Sequence, residues 1–203
     1  MAEIIKINPE HPKKDIIKRA AKIIQAGGTV IFPTETVYGL GANAFNSESV
    51  KKIFKQKNRP MNQPLAILIS DISEAEALAE NISSKTLEIM KKHWPGPLTV
   101  VLKKKKNVSG IITGERNSVG LRMPDHPVIL ELIKESGVPI VATSANKHGN
   151  PPPKNAKEAE KELSDVDLIL DGGECQIGIP STVIDATVDP PKVLRQGSLK
   201  VMD

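Results

Sequence analysis

The stretch Thr29–Phe45, TVIFPTETVYGLGANAF, runs an apolar strand straight into a segment dense with hydroxyls and glycines. Val30, Ile31 and Phe32 read as a buried strand, and Pro33, which has no backbone N–H, ends its ladder. Behind it Thr34, Glu35, Thr36, Tyr38, Gly39 and Gly41 read as a ligand loop, because hydroxyls fix a small polar ligand and glycines let backbone N–H groups approach it closely. Ligand crevices in α/β sheets lie at strand ends, so this one stretch points to a fold class and to a site.

Outward from it, helical and strand patterns mix along the whole chain. Glu3–Ile7 reads as a short strand and Lys13–Ala26 as a helix, with Ile16, Ala20, Ile23 and Ile24 at helical spacing and Gly27 as its stop. A basic helix over Ser47–Lys57 delivers Lys57, Asn58, Arg59 and Pro60. Strands are expected at Leu65–Ile69, Leu98–Leu102, Val119–Met123, Pro139–Thr143, Leu168–Leu170, Thr182–Ile184 and Val193–Arg195. Helices are expected after a Ser73/Glu76 capping box, at Ser84–His93, at Pro127–Lys134 and, capped by Asn155 and Glu158, up to Leu163. With no repeat and no linker-like composition shift, residues 1–203 read as a single α/β domain built on a twisted, mixed β-sheet flanked by helices.

Composition narrows the function. A chain of 203 residues with 26% charged and 39% hydrophobic residues is ordinary for a globular protein. The N-terminus lacks an apolar signal-like region and no apolar run approaches a membrane span, so a cytoplasmic protein is expected. Cys175 is the one cysteine, which excludes an intrachain disulfide or cysteine-rich cluster, and the four histidines lack metal-ligand spacing, so no metal site is expected. A net charge of +4 favours anionic ligands such as nucleotides, phosphates or RNA. The run Lys103–Lys106 reads as an exposed loop between strands.

Gly39 to Ala44 fit a loose G-x-G-x-x-A pattern, but six residues separate Phe32 from Gly39, whereas a dinucleotide-binding turn joins strand to helix tightly. More telling are polar clusters at four strand ends: Thr34–Thr36, Arg122, Thr143–Asn146 and Ser181–Thr182. With Lys57, Arg59 and Arg195 they suit a ligand that carries phosphate and carboxylate in a basic concave crevice.

At these residues the chain resembles the YrdC-like family of threonylcarbamoyl-adenylate synthases. PTETVYGLGANAF at Pro33–Phe45, KNRP at Lys57–Pro60, PLAILI at Pro64–Ile69 and WPGPLTVVL at Trp94–Leu102 follow the family's order. VGLRMPDHP at Val119–Pro127, TSAN at Thr143–Asn146, PSTVID at Pro180–Asp185 and LRQGS at Leu194–Ser198 continue it. The resemblance implies a YrdC-like fold and a nucleotidyltransferase that makes threonylcarbamoyl-AMP and pyrophosphate from L-threonine, bicarbonate or CO2, and ATP with Mg2+. The product would serve the N6-threonylcarbamoyl modification of adenosine 37 in tRNA through a downstream threonylcarbamoyl transferase complex. It implies catalytic Lys57 and Arg59, threonine-binding Thr34, Arg122 and Ser181, and nucleotide-binding Arg59, Gln63, Ser118, Ser144, Asn146 and Arg195, with Glu35 hydrogen-bonding the loop. Leu68, Gln63 and His148 depart from the family pattern, and a chain ending soon after LRQGS is expected to be the short form. Two other readings stay open: a non-catalytic protein of this fold that binds double-stranded RNA or tRNA, and a paralogue using another carbamoyl-adenylate, as in hydrogenase-maturation relatives.

Overall fold

The computed structural model describes residues 2–201; Met1, Met202 and Asp203, the ends of the expected 1–203 span, lie outside the described residues. Ten strands form one sheet. They are β1 (Glu3–Lys6), β2 (Val30–Phe32), β3 (Gly39–Asn43), β4 (Ala66–Leu68), β5 (Leu98–Lys103), β6 (Ser118–Arg122), β7 (Ile140–Ser144), β8 (Leu168–Asp171), β9 (Thr182–Asp185) and β10 (Lys192–Arg195), in the spatial order β1-β8-β2-β3-β7-β4-β6-β5-β9-β10. Four parallel pairs (β1 with β8, β2 with β8, β4 with β6, β5 with β9) stand among antiparallel ones, so the sheet is mixed as expected.

Most of the helices have a beginning or an end marked in the sequence. Helices α1 (Lys14–Gln25), α2 (Ser47–Lys57), α3 (Ala75–Leu78), α4 (Ser84–His93), α5 (Gly110–Thr113), α6 (Pro127–Ser136) and α7 (Ala156–Glu162) follow in chain order. Asn46 caps α2 by accepting from the N–H groups of Glu48 and Ser49, and Asn155 caps α7 by accepting from Glu158 N–H at 2.9 Å. The Ser73/Glu76 capping box is not formed: Asp71 accepts from Ser73 N–H at 2.8 Å, and Glu74 takes both the N–H and hydroxyl of Ser70. Asp71, two residues earlier, captures both the N–H and the hydroxyl of Ser73 that the box would have used.

Strand alternation sorts side chains to two faces with different fates. On one face Ile67, Val100, Leu102, Val119, Leu121, Val141 and Ile184 join Val50, Ile53 and Phe54 of α2 and Met90 of α4 in the larger core. On the other, α1 and α6 pack on Val30, Phe32, Leu168, Leu170 and Ile140. Those two helices cover only part of that face. Beyond them Ala66, Gly120, Arg122, Thr99, Val101, Val183 and Asp185 floor an open crevice.

The glycines of the expected ligand loop lie in a strand, β3, although Gly39 still lines the crevice. Gly39 and Gly41 pair with Phe32 and Val30 of β2 and with Ser144 and Ala142 of β7. A Cβ on Gly39 would meet the Phe32 ring at 2.7 Å, and one on Gly41 would meet Phe32 at 2.7 Å and Ile140 at 2.6 Å. These glycines make room for a buried aromatic ring lying across the neighbouring strand. Among the described residues, no helix is long and apolar enough to cross a membrane.

Candidate active site

The segment between β2 and β3 is held by a directed chain of hydrogen bonds. Arginine only donates, so Arg122 Nη2–H gives to Thr36 Oγ1 at 3.0 Å. Thr36 passes its hydroxyl proton to Thr34 Oγ1 at 2.8 Å, and Thr34 donates to the Val37 carbonyl at 2.7 Å. Thr34 also accepts from the N–H groups of Thr36 and Val37 at 3.2 Å. Thr34 therefore faces the crevice, as expected of a site residue, with its proton already committed to the turn. Arg122 Nη2 also donates to Glu35 Oε1 at 2.6 Å, and Nε donates to Gly96 O at 3.3 Å.

Seven of the expected residues line the same crevice, whose volume is about 550 Å³: Thr34, Arg59, Ser118, Arg122, Ser144, Ser181 and Arg195. Arg59 swings in because Asn58 ends α2 in the left-handed conformation (φ 50°), which Asn tolerates. Its Nη2 donates to Pro64 O at 2.9 Å and its Nε to Gln63 O at 3.4 Å. Arg195 donates to Ser181 O from Nη2 at 2.7 Å and from Nε at 3.2 Å, and Ser181 Oγ in turn meets Thr99 Oγ1 at 2.9 Å. All three guanidiniums are thus tied down through Nε and Nη2, and each has Nη1 without a protein partner among the described residues. Burial lowers the Arg59 and Arg195 guanidiniums from their ordinary range, Arg122's positive charge adding to the effect on Arg195. They are pre-oriented, incompletely solvated donors that gain by meeting an anion.

Three expected residues do not reach the crevice wall. Lys57 is 1% exposed. Its Nζ donates to the carbonyls of Ser144, at 2.5 Å, and Asn146, while its own carbonyl accepts from His148 N–H at 2.8 Å. Lys57 thus binds the end of α2 to the 144–148 segment behind the wall and is not among the residues that line the crevice. Burial, reinforced by Arg59's charge and opposed by Glu162, pushes its ammonium down to about 7. Asn146 turns its amide to the carbonyls of Lys147 and Asn150, at 2.9 and 2.7 Å, which makes it a loop brace. Gln63 Nε2 lies 3.3 Å from His148 Nε2, so two departures from the family pattern meet each other outside the lining.

The wall also carries Thr99, Arg116 and Asp185, which the sequence reading did not single out. Thr99 and Asp185 had a readable signal: both alternate with core residues in strands and lie inside the motifs at Trp94–Leu102 and Pro180–Asp185. Leu68, with Phe32 and Ala142, makes an apolar part of the wall. Cys175 is half-buried against the larger core, and burial pushes its thiol up to about 11. Among the described residues no cluster of three or more His, Cys, Asp or Glu side chains has the arrangement of a metal site.

A family model described as Telomere recombination, named for Sua5, YciO and YrdC, matches residues 22–197. The chain is similar to the threonylcarbamoyl-AMP synthase of Pyrococcus abyssi (strain GE5 / Orsay), 48% identical over 184 residues, which are 90% of this chain and 54% of that protein. It is 45% identical over 185 residues to that of Bacillus subtilis (strain 168), again 90% of this chain and 54% of the relative. The crystal structure of P. abyssi Sua5 complexed with L-threonine superposes with a TM-score of 0.94 at 45% identity, covering 97% of this chain and 58% of that one. The chain spans about half the length of the curated relatives it matches.

Proposed function

The chain belongs to the Sua5, YciO and YrdC family, and on that premise we propose that it makes L-threonylcarbamoyl-AMP and pyrophosphate from L-threonine, bicarbonate or CO2, and ATP. The observation that carries the reading is the set of three anchored guanidiniums, Arg59, Arg122 and Arg195, which line the same crevice and each leave Nη1 without a protein partner among the described residues. Relatives named threonylcarbamoyl-AMP synthase support the reaction, and a similar structure complexed with L-threonine supports the amino acid.

Threonine's amine attacks the carbon of CO2 and loses a proton, which gives a carbamate. A carbamate oxygen then attacks the α-phosphorus in line, and the bond to the bridging oxygen of the departing pyrophosphate breaks. The nucleophile comes from substrate, so the protein's part is orientation and charge neutralisation. Arg122 Nη1 meets the threonine carboxylate, with Ser181 and Thr34 beside it; Arg59 and Arg195 take the phosphates; Ser118 and Ser144 flank the nucleotide. Lys57 and Asn146 hold the wall from behind, and Gln63 supports Arg59 through its carbonyl. ATP enters as its magnesium complex. Asp185 is the one carboxylate on the crevice wall among the described residues, which suits a cation that arrives on the phosphates.

The product is a labile mixed anhydride, and a separate threonylcarbamoyl transferase acting on tRNA is its proposed consumer. The test is pyrophosphate release from ATP with threonine and bicarbonate omitted in turn. Release is expected only with both present, and release indifferent to threonine would overturn the reading.

A further inference from the structure

The three crevice arginines differ in one respect. Arg59 and Arg195 are held by neutral backbone carbonyls, whereas Arg122 is held by a carboxylate. Glu35 and Arg122 are both buried, at 4% and 8% exposed, and they meet at 2.6 Å. Glu35 stands behind the crevice wall, not on it. Its second oxygen, Oε2, is buried with no hydrogen-bond partner among the described residues.

A guanidinium held by neutral acceptors presents its full charge, and attracts the most highly charged anion within reach. One paired to a carboxylate at contact distance presents directed N–H groups with little net charge. Glu35 and Thr36 engage Nη2 and Gly96 O engages Nε, so the fork of Arg122 is closed on two sides. Nη1 is left without a protein partner among the described residues, in a side chain that lines the crevice. Oε2 carries part of that same carboxylate charge and has no hydrogen-bond partner among the described residues, so the pair attracts phosphate less than a lone guanidinium would and tolerates a neighbouring ammonium group.

We propose that Glu35 is a positioning and specificity-determining residue, which fixes the Nη1 edge of Arg122 toward the crevice and cancels its net charge. That subsite is thereby reserved for the carboxylate of a zwitterionic amino acid and closed to phosphate, although it lies in the same basic crevice as Arg59 and Arg195. The inference rests on the amino-acid reading of the crevice given above.

Glu35→Gln keeps the shape and removes the charge. By calorimetry its affinity for L-threonine is expected to fall by about tenfold or more, while inorganic pyrophosphate binds about threefold or more tightly and now competes with threonine. A merely structural role would not produce the pyrophosphate gain. Glu35→Asp, with the charge kept and the reach shortened, is expected to weaken threonine without that gain. The wild-type protein supplies an arm that does not depend on a variant folding: pyrophosphate and L-threonine are expected to bind it without competing. Competition in the wild type, or Glu35→Gln binding both ligands as the wild type does, would overturn the role of Glu35. A wild-type protein that binds no L-threonine would overturn the functional reading itself.

Discussion

A buried ammonium facing two carbonyls is better served as an amine. Lys57 has the carbonyls of Ser144 and Asn146 as its two acceptors, and neutral lysine has two N–H groups to give them. The charged form brings a third proton and a desolvation penalty, which is why burial lowers its titration to about 7. From about pH 7 to pH 9 the unfolded chain holds this proton and the folded chain does not, so stability rises with pH by about 2–3 kcal/mol from this residue. Above that window Cys175 and Tyr38, both raised by burial, act in the opposite direction because the folded chain then holds the extra protons. Denaturant midpoints for the wild type and Lys57→Met across the window test this; parallel pH profiles would show that Lys57 folds with an ordinary ammonium. Arg59 and Arg195 belong to the other class, half-buried and exposed, with Nη1 open. Alanine at either is expected to lower kcat/KM for ATP by about 10- to 1000-fold, with little change in melting temperature. Unchanged ATP kinetics in both would remove them from the phosphate site.

At the scale of elements, β3 is the strand that local preference does not announce. Gly39, Leu40, Gly41, Ala42 and Asn43 offer little β-propensity and no alternation, and the strand forms because β2 and β7 pair with it on both sides. Its glycines answer to the Phe32 ring, so Gly41→Ala is expected to destabilise the fold by about 1–3 kcal/mol, read as a fall in melting temperature of about 2–4 °C per kcal/mol. The loop reading of the same glycine predicts weakened ligand binding at unchanged stability, and that pattern would favour it. Elsewhere the sequence carried the architecture further. Asn155 marks the start of α7, and the strands expected at Leu98–Leu102 and Val119–Met123 form as β5 and β6, where Arg122 stands at a strand end as read. The site was legible where a residue type stands at a strand end, as with Arg122 and Ser181. It was not legible where depth decides the role: Lys57 is set by contact with a segment some ninety residues away, which no local pattern encodes.

The molecule as a whole is a partly covered sheet whose bare portion is lined by four arginines, Arg59, Arg116, Arg122 and Arg195, against one carboxylate on the wall, Asp185. With a net charge of +4 the long-range field adds to the local one for any polyanion. On the proposed function ATP, as a polyanion, would draw on both fields, while a zwitterion meeting the Glu35–Arg122 pair would draw on short, buried contacts that salt reaches poorly. Each ligand stabilises the native state by mass action. About 100-fold over its dissociation constant it adds about 2.7 kcal/mol, or about 5–10 °C in melting temperature for a chain of this size. At a fixed ligand concentration, raising sodium chloride from about 0.05 to about 0.5 M shortens the screening length severalfold, so the ATP shift is expected to shrink markedly and the L-threonine shift to persist. Thermal melts with each ligand alone at the two salt concentrations give the answer. A threonine shift that collapses in salt while the ATP shift holds would reverse the division of labour among the arginines, leaving Arg122 as the open cation and Arg59 and Arg195 as directional donors.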